Sequence, residues 1–153
     1  LPVLVVPDKT KFKSQIYTTV FATDYHNSDF AALKFLSAVG KAFYSKIIVV
    51  HITDGELNDY SEQDMLDCFS RKVKKTVKNP NINFKLIKSK KSIGIALQDF
   101  SKKNKADILA VSIRKKDIAE KLFTPTITLD MLYHTNIPLL VFRASDIPNE
   151  GLF

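Results

Sequence analysis

QIYTTVFATDYHNSDFAALKFLSAVGKAFY, residues 15 to 44, changes its hydrophobic period halfway along. QIYTTVFATD (15–24) is rich in β-branched and aromatic residues and reads as a buried strand. Beyond the polar YHNS, Leu33, Leu36, Gly40 and Phe43 recur at helical spacing, and the helix is expected to end near Tyr44. Ser28 reads as its N-cap, with Asp29 well placed near the positive helix start. KIIVVHI (46–52) then supplies a second continuously apolar strand, which completes a β-α-β unit.

The same alternation runs on through the chain. SEQDMLDCFSRKVKKTVKN (61–79) reads as a helix whose inward stripe is Met65, Phe69, Val73 and Val77, with Cys68 beside it as a small buried hydrophobe. Asn79-Pro80 stops it. INFKLIKS (82–89) alternates, with Ile82, Phe84 and Leu86 inward, which suits a strand with one poorer face or a sheet edge. SIGIALQDFSKKN (92–104) is a helix capped by Ser92, and ADILAVSI (106–113) another buried strand. Residues 114–125 read as irregular or partly helical, 126–135 as a short helix and IPLLVFRA (137–144) as the last strand. Strands alternating with helices give an α/β three-layer sandwich around a parallel sheet. Ligands in such sheets bind at the carboxyl ends of strands where the strand order reverses. That directs attention to Ala22, Thr23 and Asp24 and to Val111, Ser112 and Ile113.

Bulk properties narrow the class. The chain's 153 residues suit one domain, and 45% hydrophobic with 25% charged residues suits a packed core in water. No apolar run approaches the roughly 18 residues of a membrane span. One cysteine excludes an internal disulfide, and no Cys/His spacing marks a metal site. A cytoplasmic setting fits. The net charge of +7 is concentrated in residues 71–91, which hold nine basic residues and no acid. The remainder has 14 basic against 16 acidic residues, so it is nearly neutral. The strip reads as a solvated helix face followed by a lysine-guarded edge strand, because only Phe84 is interleaved for base stacking. Nucleic acid is not the expected partner.

Several segments resemble the universal stress protein family. VFATDYHNSDFAALKFL is similar to its opening strand, loop and helix, and IIVVHITD to its second strand. ADILAVSIRKK with LFTPTITLDMLYHTNIPLLVF resembles its fourth strand, binding loop, last helix and last strand. The resemblance implies a five-stranded parallel sheet in the order 3-2-1-4-5, of the adenine nucleotide alpha hydrolase-like type, often dimeric through strand five. It implies ATP binding in many members, through a loop of Gly, two residues, Gly, nine residues, then Gly and Ser or Thr. The matching positions here are Ser112, Lys115, Pro125 and Thr126, and none is glycine. Backbone approach to phosphate is therefore obstructed at three places, and Pro125 lacks an N–H altogether.

Other positions of the resemblance are kept. Asp24 stands where nucleotide-binding members place an Asp beside adenine and ribose, and Ile52 where an apolar residue packs on the base. Asp24 has a second reading, as an acceptor for loop N–H groups after the strand, and that one is preferred with the glycines gone. The implied ligand set is Thr23, Asp24, Ile52, Ser112, Lys115, Thr126 and Thr128, with ATP or AMP as the nucleotide and no other cofactor. Arg114, Lys115 and Lys116 read as a solvated charged loop ahead of a cationic rim. His26, His51 and His134 stand in no recognisable catalytic motif, so no catalytic residue and no metal is expected. SGGxDS-type and HIGH-type motifs of related nucleotide enzymes are missing.

LPVLVVP (1–7) has the form of the family's last strand, like IPLLVFR (137–143). Residues 1–14 are accordingly expected to be the last strand and linker of a preceding domain, residues 15–144 the domain itself, and 145–153 a tail. An apolar strand without its own domain seeks a sheet edge. It is expected beside strand five, in the same chain or a partner. A homodimer or a tandem-domain partner would then meet through the last strand, bounded by Ile137 and Arg143, and the opening strand between Pro2 and Pro7. The expected function is a non-catalytic stress-response domain acting by association, with a degenerate ATP-binding loop. The alternative is a nucleotide-binding stress protein using Asp24 and Thr126.

Overall fold

The computed structural model describes residues 2–11, 13–56, 59–113 and 136–143. The chain order is β1 (Val3–Val5), β2 (Thr18–Ala22), α1 (Ser28–Phe43), β3 (Lys46–Thr53), α2 (Asp59–Val77), β4 (Ile82–Lys88), α3 (Ile93–Lys103), β5 (Ile108–Ile113) and β6 (Leu139–Arg143). One six-stranded sheet runs β1-β6-β5-β2-β3-β4. From β2 to β6 the five strands are parallel and take the order implied for strands one to five. The sixth is β1, antiparallel on β6 with Val3 opposite Val141 and Val5 opposite Leu139. The sheet is thus mixed rather than wholly parallel, and the β6 edge is closed within the chain itself.

Side-chain alternation sorts the core into two layers. Phe21, Val49, Ala110 and Phe142 face α1 and α2, where Leu33, Leu36, Phe69 and Val73 meet them. Val20, Ile48, Val50, Leu109 and Leu139 face the other way, against Leu97 of α3. Central strands buried on both sides explain the unbroken apolar runs read in the sequence. Each fully buried aliphatic side chain contributes roughly 1.5–3 kcal/mol of transfer free energy. β4 is the opposite edge, where Asn83, Lys85 and Lys88 are exposed. Lys74 of α2 lies 5.9 Å from the Phe84 ring centre. The basic strip is therefore an outer helix face and a lysine-guarded edge strand.

Three local expectations are corrected. In α2 the inward residue is Leu66, while Met65 is 49% exposed. The stripe Leu66, Phe69, Val73, Val77 keeps the helical period but starts one residue later, and the same rotation leaves Cys68 exposed. In α1 the N-cap is Asn27, without a side-chain cap bond, and Ser28 is already helical. Phe43 ends α1 on its exposed side. Gly40 sits where a Cβ would come within 2.8 Å of Ser45 Oγ, so the turn into β3 packs against bare backbone. The expected Ser92 cap of α3 is present, its Oγ accepting from Ile95 N–H.

The antiparallel direction of β1 returns the chain to the amino ends of the parallel strands. Residues 6–17 must then pass β6 and β5 to reach β2, a span of three strand spacings, roughly 15 Å. This segment is fastened along the way. Thr10 Oγ1 donates to Asn136 O at 3.1 Å, and Gln15 Nε2 donates to Phe43 O at 3.0 Å. Lys13 Nζ donates to Asp107 Oδ1. Asp107 also accepts from Tyr17 and Thr18 N–H at 2.8 and 2.9 Å. Burial pushes the Asp107 carboxyl up, but the Lys13 hydrogen bond, those from Thr18 and Tyr17, and the Lys13 charge hold it below its ordinary 3.8. A depressed carboxylate stabilises the fold above its unfolded pKa and loses that contribution as pH falls through its folded value. Urea melts should therefore show wild-type stability falling below about pH 4, and Asp107→Asn should flatten that fall. At pH 7, Asp107→Ala should cost about 2 kcal/mol, since two backbone N–H groups lose their acceptor.

Candidate functional site

The strand order reverses between β2 and β5, so their carboxyl ends flank the cleft where this class of sheet binds ligands. Thr23 follows β2 and is buried. Its Oγ1 donates to Asp29 Oδ2 at 2.7 Å and accepts from Tyr25 N–H at 3.0 Å. Asp29, 1% exposed, lies in the first turn of α1, where the helix dipole favours a carboxylate. Asp24, by contrast, is exposed beyond the strand end. The loop N–H of Tyr25, a bond of the kind expected of Asp24, goes to the Thr23 hydroxyl.

Across the cleft, Ser112 of β5 reaches Ser28 at the start of α1, Oγ to Oγ 3.5 Å. Ser28 Oγ is 2.9 Å from His26 Nδ1, and Ser28 N–H donates to the same nitrogen at 3.2 Å. A nitrogen that accepts an N–H carries no proton, so the Ser28 hydroxyl donates to it, and Ser112 stands at the outer limit of hydroxyl contact with Ser28. This cluster of Ser112, Ser28 and His26 was not legible as a motif. Its one sequence signal is His-Asn-Ser, a histidine two residues before a serine in the first loop. The cluster offers hydroxyl and imidazole hydrogen bonds to a polar group at the α1 amino end. Nothing in it resembles a triad with an orienting acid.

A second polar cluster lies beside it, over β2 and β3. Tyr25 has φ 65°, the left-handed region that costs a non-glycine residue energy. That turn lays its ring on His51, centroids 4.3 Å apart, and against Phe69 at 5.5 Å. His51 Nδ1 lies 2.8 Å from Thr23 O, a carbonyl that can only accept, so this nitrogen carries the proton. Thr53 Oγ1 donates to Glu62 Oε1 and accepts from Gly55 N–H at 3.0 Å. Glu62 is 4% exposed, and its Oε2 and the Tyr25 hydroxyl are buried without a hydrogen-bond partner among the described residues. Burial, then the charges of Glu62 and Asp67, push the Tyr25 phenol well above its usual range, so it remains a hydrogen-bond donor.

The implied ligand residues fall on different layers. Thr23 and Ser112 point to the α1 side, while Ile52 packs with the α3-side core. Strand register continues from Ala22 opposite Val50 and Val111, so Thr23 and Ser112 stand as neighbours at the cleft. Lys115, Thr126 and Thr128 lie outside the described residues, as do Arg114, Lys116, Pro125 and His134. No group of three or more His, Cys, Asp or Glu side chains able to hold a metal ion occurs among the described residues.

No protein-family model and no curated protein matches the chain. Solved structures do. A universal stress protein in complex with cAMP superposes with TM-score 0.66 at 18% identity, covering 86% of this chain and 99% of that one. A universal stress protein from Archaeoglobus fulgidus in complex with dAMP gives 0.63 at 16% identity, covering 82% and 96%. A universal stress protein from Archaeoglobus fulgidus DSM 4304 gives 0.65 at 12% identity, covering 94% of this chain but 50% of that one. The fold is that of the universal stress proteins. No described helix is long and apolar enough to cross a membrane.

Proposed function

We propose that this chain, with its universal stress protein fold, is a non-catalytic, cytoplasmic domain that serves the stress response by association. The observation that carries the reading is the antiparallel pairing of β1 on β6. An apolar strand from outside the doubly wound unit closes its last edge in the way a neighbouring domain's strand would. We assign residues 1–14 to the last strand and linker of a preceding domain of the same type. The broader match to a chain twice as long, 94% of this chain against 86% and 82%, supports that assignment. The partner surface then includes residues 2–7 and 137–143, within a tandem protein or a homodimer.

A second reading is a nucleotide-binding domain, favoured by the cAMP and dAMP complexes of proteins with this fold. It would use Thr23, Asp24, Ile52 and Ser112, with Lys115, Thr126 and Thr128 from the following segment. At the cleft, Thr23 donates to Asp29, and the glycines that admit phosphate are replaced. Calorimetric titration with ATP and with AMP separates the two. The association reading expects no saturable heat below about 1 mM ligand. Micromolar binding that disappears in Asp24→Ala would overturn it in favour of the nucleotide.

A further inference from the structure

The strap formed by residues 6–11 and 13–17 borders a half-open space at the end of the sheet opposite the nucleotide-type cleft. A cavity of about 440 Å³ lies between the strap and the amino ends of β5 and β6, within the range of roughly 300–1,000 Å³ typical of small-molecule sites. Its apolar lining includes Leu4, Val6, Ile16 and Ile108. Leu4 stands opposite Leu140, which packs into the α1-side core, so Leu4 continues the sheet face that α1 covers further in. Over β1 that face is open. Leu4 is 51% and Val6 42% exposed, although both are large and apolar.

The charged part of the lining is mostly cationic, beside the neutral polar Thr10, Gln15 and Asn136. Lys9, Lys11 and Lys13 line the cavity with one acid among the described lining residues, Asp107. Asp107 is committed to Lys13 and to two backbone N–H groups. Lys13 is thereby neutralised, and Lys9 and Lys11 remain as positive charges on the exposed strap. Three lysines at alternate positions of the strap, above an apolar floor, match a ligand with an aliphatic body and an anionic head.

We propose that the cavity under the strap binds a small amphipathic carboxylate, its chain against Val6, Ile16 and Ile108 and its carboxylate at Lys9 and Lys11. The head group selects for charge, and the cavity selects for length. Ligand entry ties the strap, and with it β1, more firmly to the sheet. The site thus lies beside the association edge and is chemically separate from the cleft at Thr23 and Ser112.

The test is a titration of the full chain with sodium decanoate below its micelle concentration, followed by backbone amide shifts and by calorimetry. Saturable shifts centred on Val6, Lys11 and Ile137 are expected. Octanoate should bind more weakly, by roughly three- to fourfold per methylene removed. Decylammonium should bind at least about tenfold more weakly than decanoate, because the strap lysines would repel it. The double variant Lys9→Glu/Lys11→Glu alters only exposed positions and should weaken decanoate by about fivefold or more. Val6→Ser, outside the strands, should also weaken it while leaving the melting temperature unchanged. No saturable shift by about 1 mM would overturn the proposal. So would shifts centred on Ser28 and Ser112, or equal affinity in the lysine double variant. Shifts spread over the exposed Phe35, Val39 and Phe43 of α1, in place of the strap, would overturn it as well.

Discussion

A chain lacking residues 2–7 is expected to self-associate. β1 is only three residues long and two of them are exposed, so its own burial contributes little. Its importance lies in what it covers. β6 carries Leu139, Leu140, Val141 and Phe142 in succession, with free backbone donors and acceptors along the outer side once β1 is gone. An apolar, unprotected edge strand is a template for pairing with another chain. The opposite edge, β4, is guarded by Lys85 and Lys88, and β6 has no comparable protection before Arg143. Light scattering on the truncated chain at tens of micromolar should show a dimer or larger species, and the full chain a smaller one. The shortened strap would also lose part of its anchorage, so the melting temperature should drop by several degrees, about 2–4 °C for each kcal/mol. The control is Val3→Lys, which adds a charge to β1 but keeps it over β6 and should not produce the larger species. Equal mass, solubility and melting temperature with and without residues 2–7 would remove the basis for an association edge.

The second large effect is expected at Asp29, in contrast to Asp24. Asp29→Ala deletes a 1%-exposed carboxylate at the start of α1 and leaves the Thr23 hydroxyl without its acceptor. It also removes negative charge from the positive end of the helix. Breaking such a buried charged contact should cost about 3 kcal/mol. For a chain of this size that lowers the melting temperature by roughly 6–12 °C. Asp29→Asn keeps an acceptor oxygen and should lose about half as much. Thr23→Val removes one donor to Asp29 and the acceptor of the Tyr25 N–H, and should cost less than the alanine variant. Asp24→Ala, at an exposed position, should change stability by less than about 1 kcal/mol. If Asp29→Ala and Asp24→Ala melt together, the assignment of the structural role to Asp29 is wrong.

This contrast shows where reading the chain as text fails. Asp24 and Asp29 are both acids near the end of the first strand, and resemblance drew attention to Asp24. Burial separates them, and burial depends on how α1 lies over β2 and β5. The His26, Ser28 and Ser112 cluster was illegible for the same reason, since Ser112 lies 84 residues from Ser28. Met65 and Leu66 are a subtler case. Both positions fit a helical stripe, and the difference of one residue is about 100° of rotation, which only the packing of α2 on β4 and α1 resolves.

By itself the sequence determined the α/β class and the alternation of strands and helices, while the order of the five parallel strands was implied by the resemblance to the universal stress protein family. The sequence also showed that residues 2–7 have the character of a last strand. The class and the alternation follow from local periodicity, which acts over short stretches of chain. Only the tertiary structure decided that β1 runs antiparallel on β6 in the same chain. It likewise decided that Thr10, Lys13 and Gln15 fasten the strap to Asn136, Asp107 and Phe43, with a half-open cavity beside it. Those outcomes depend on which distant polar groups find partners and which apolar faces find cover, and no local pattern in the chain encodes that choice.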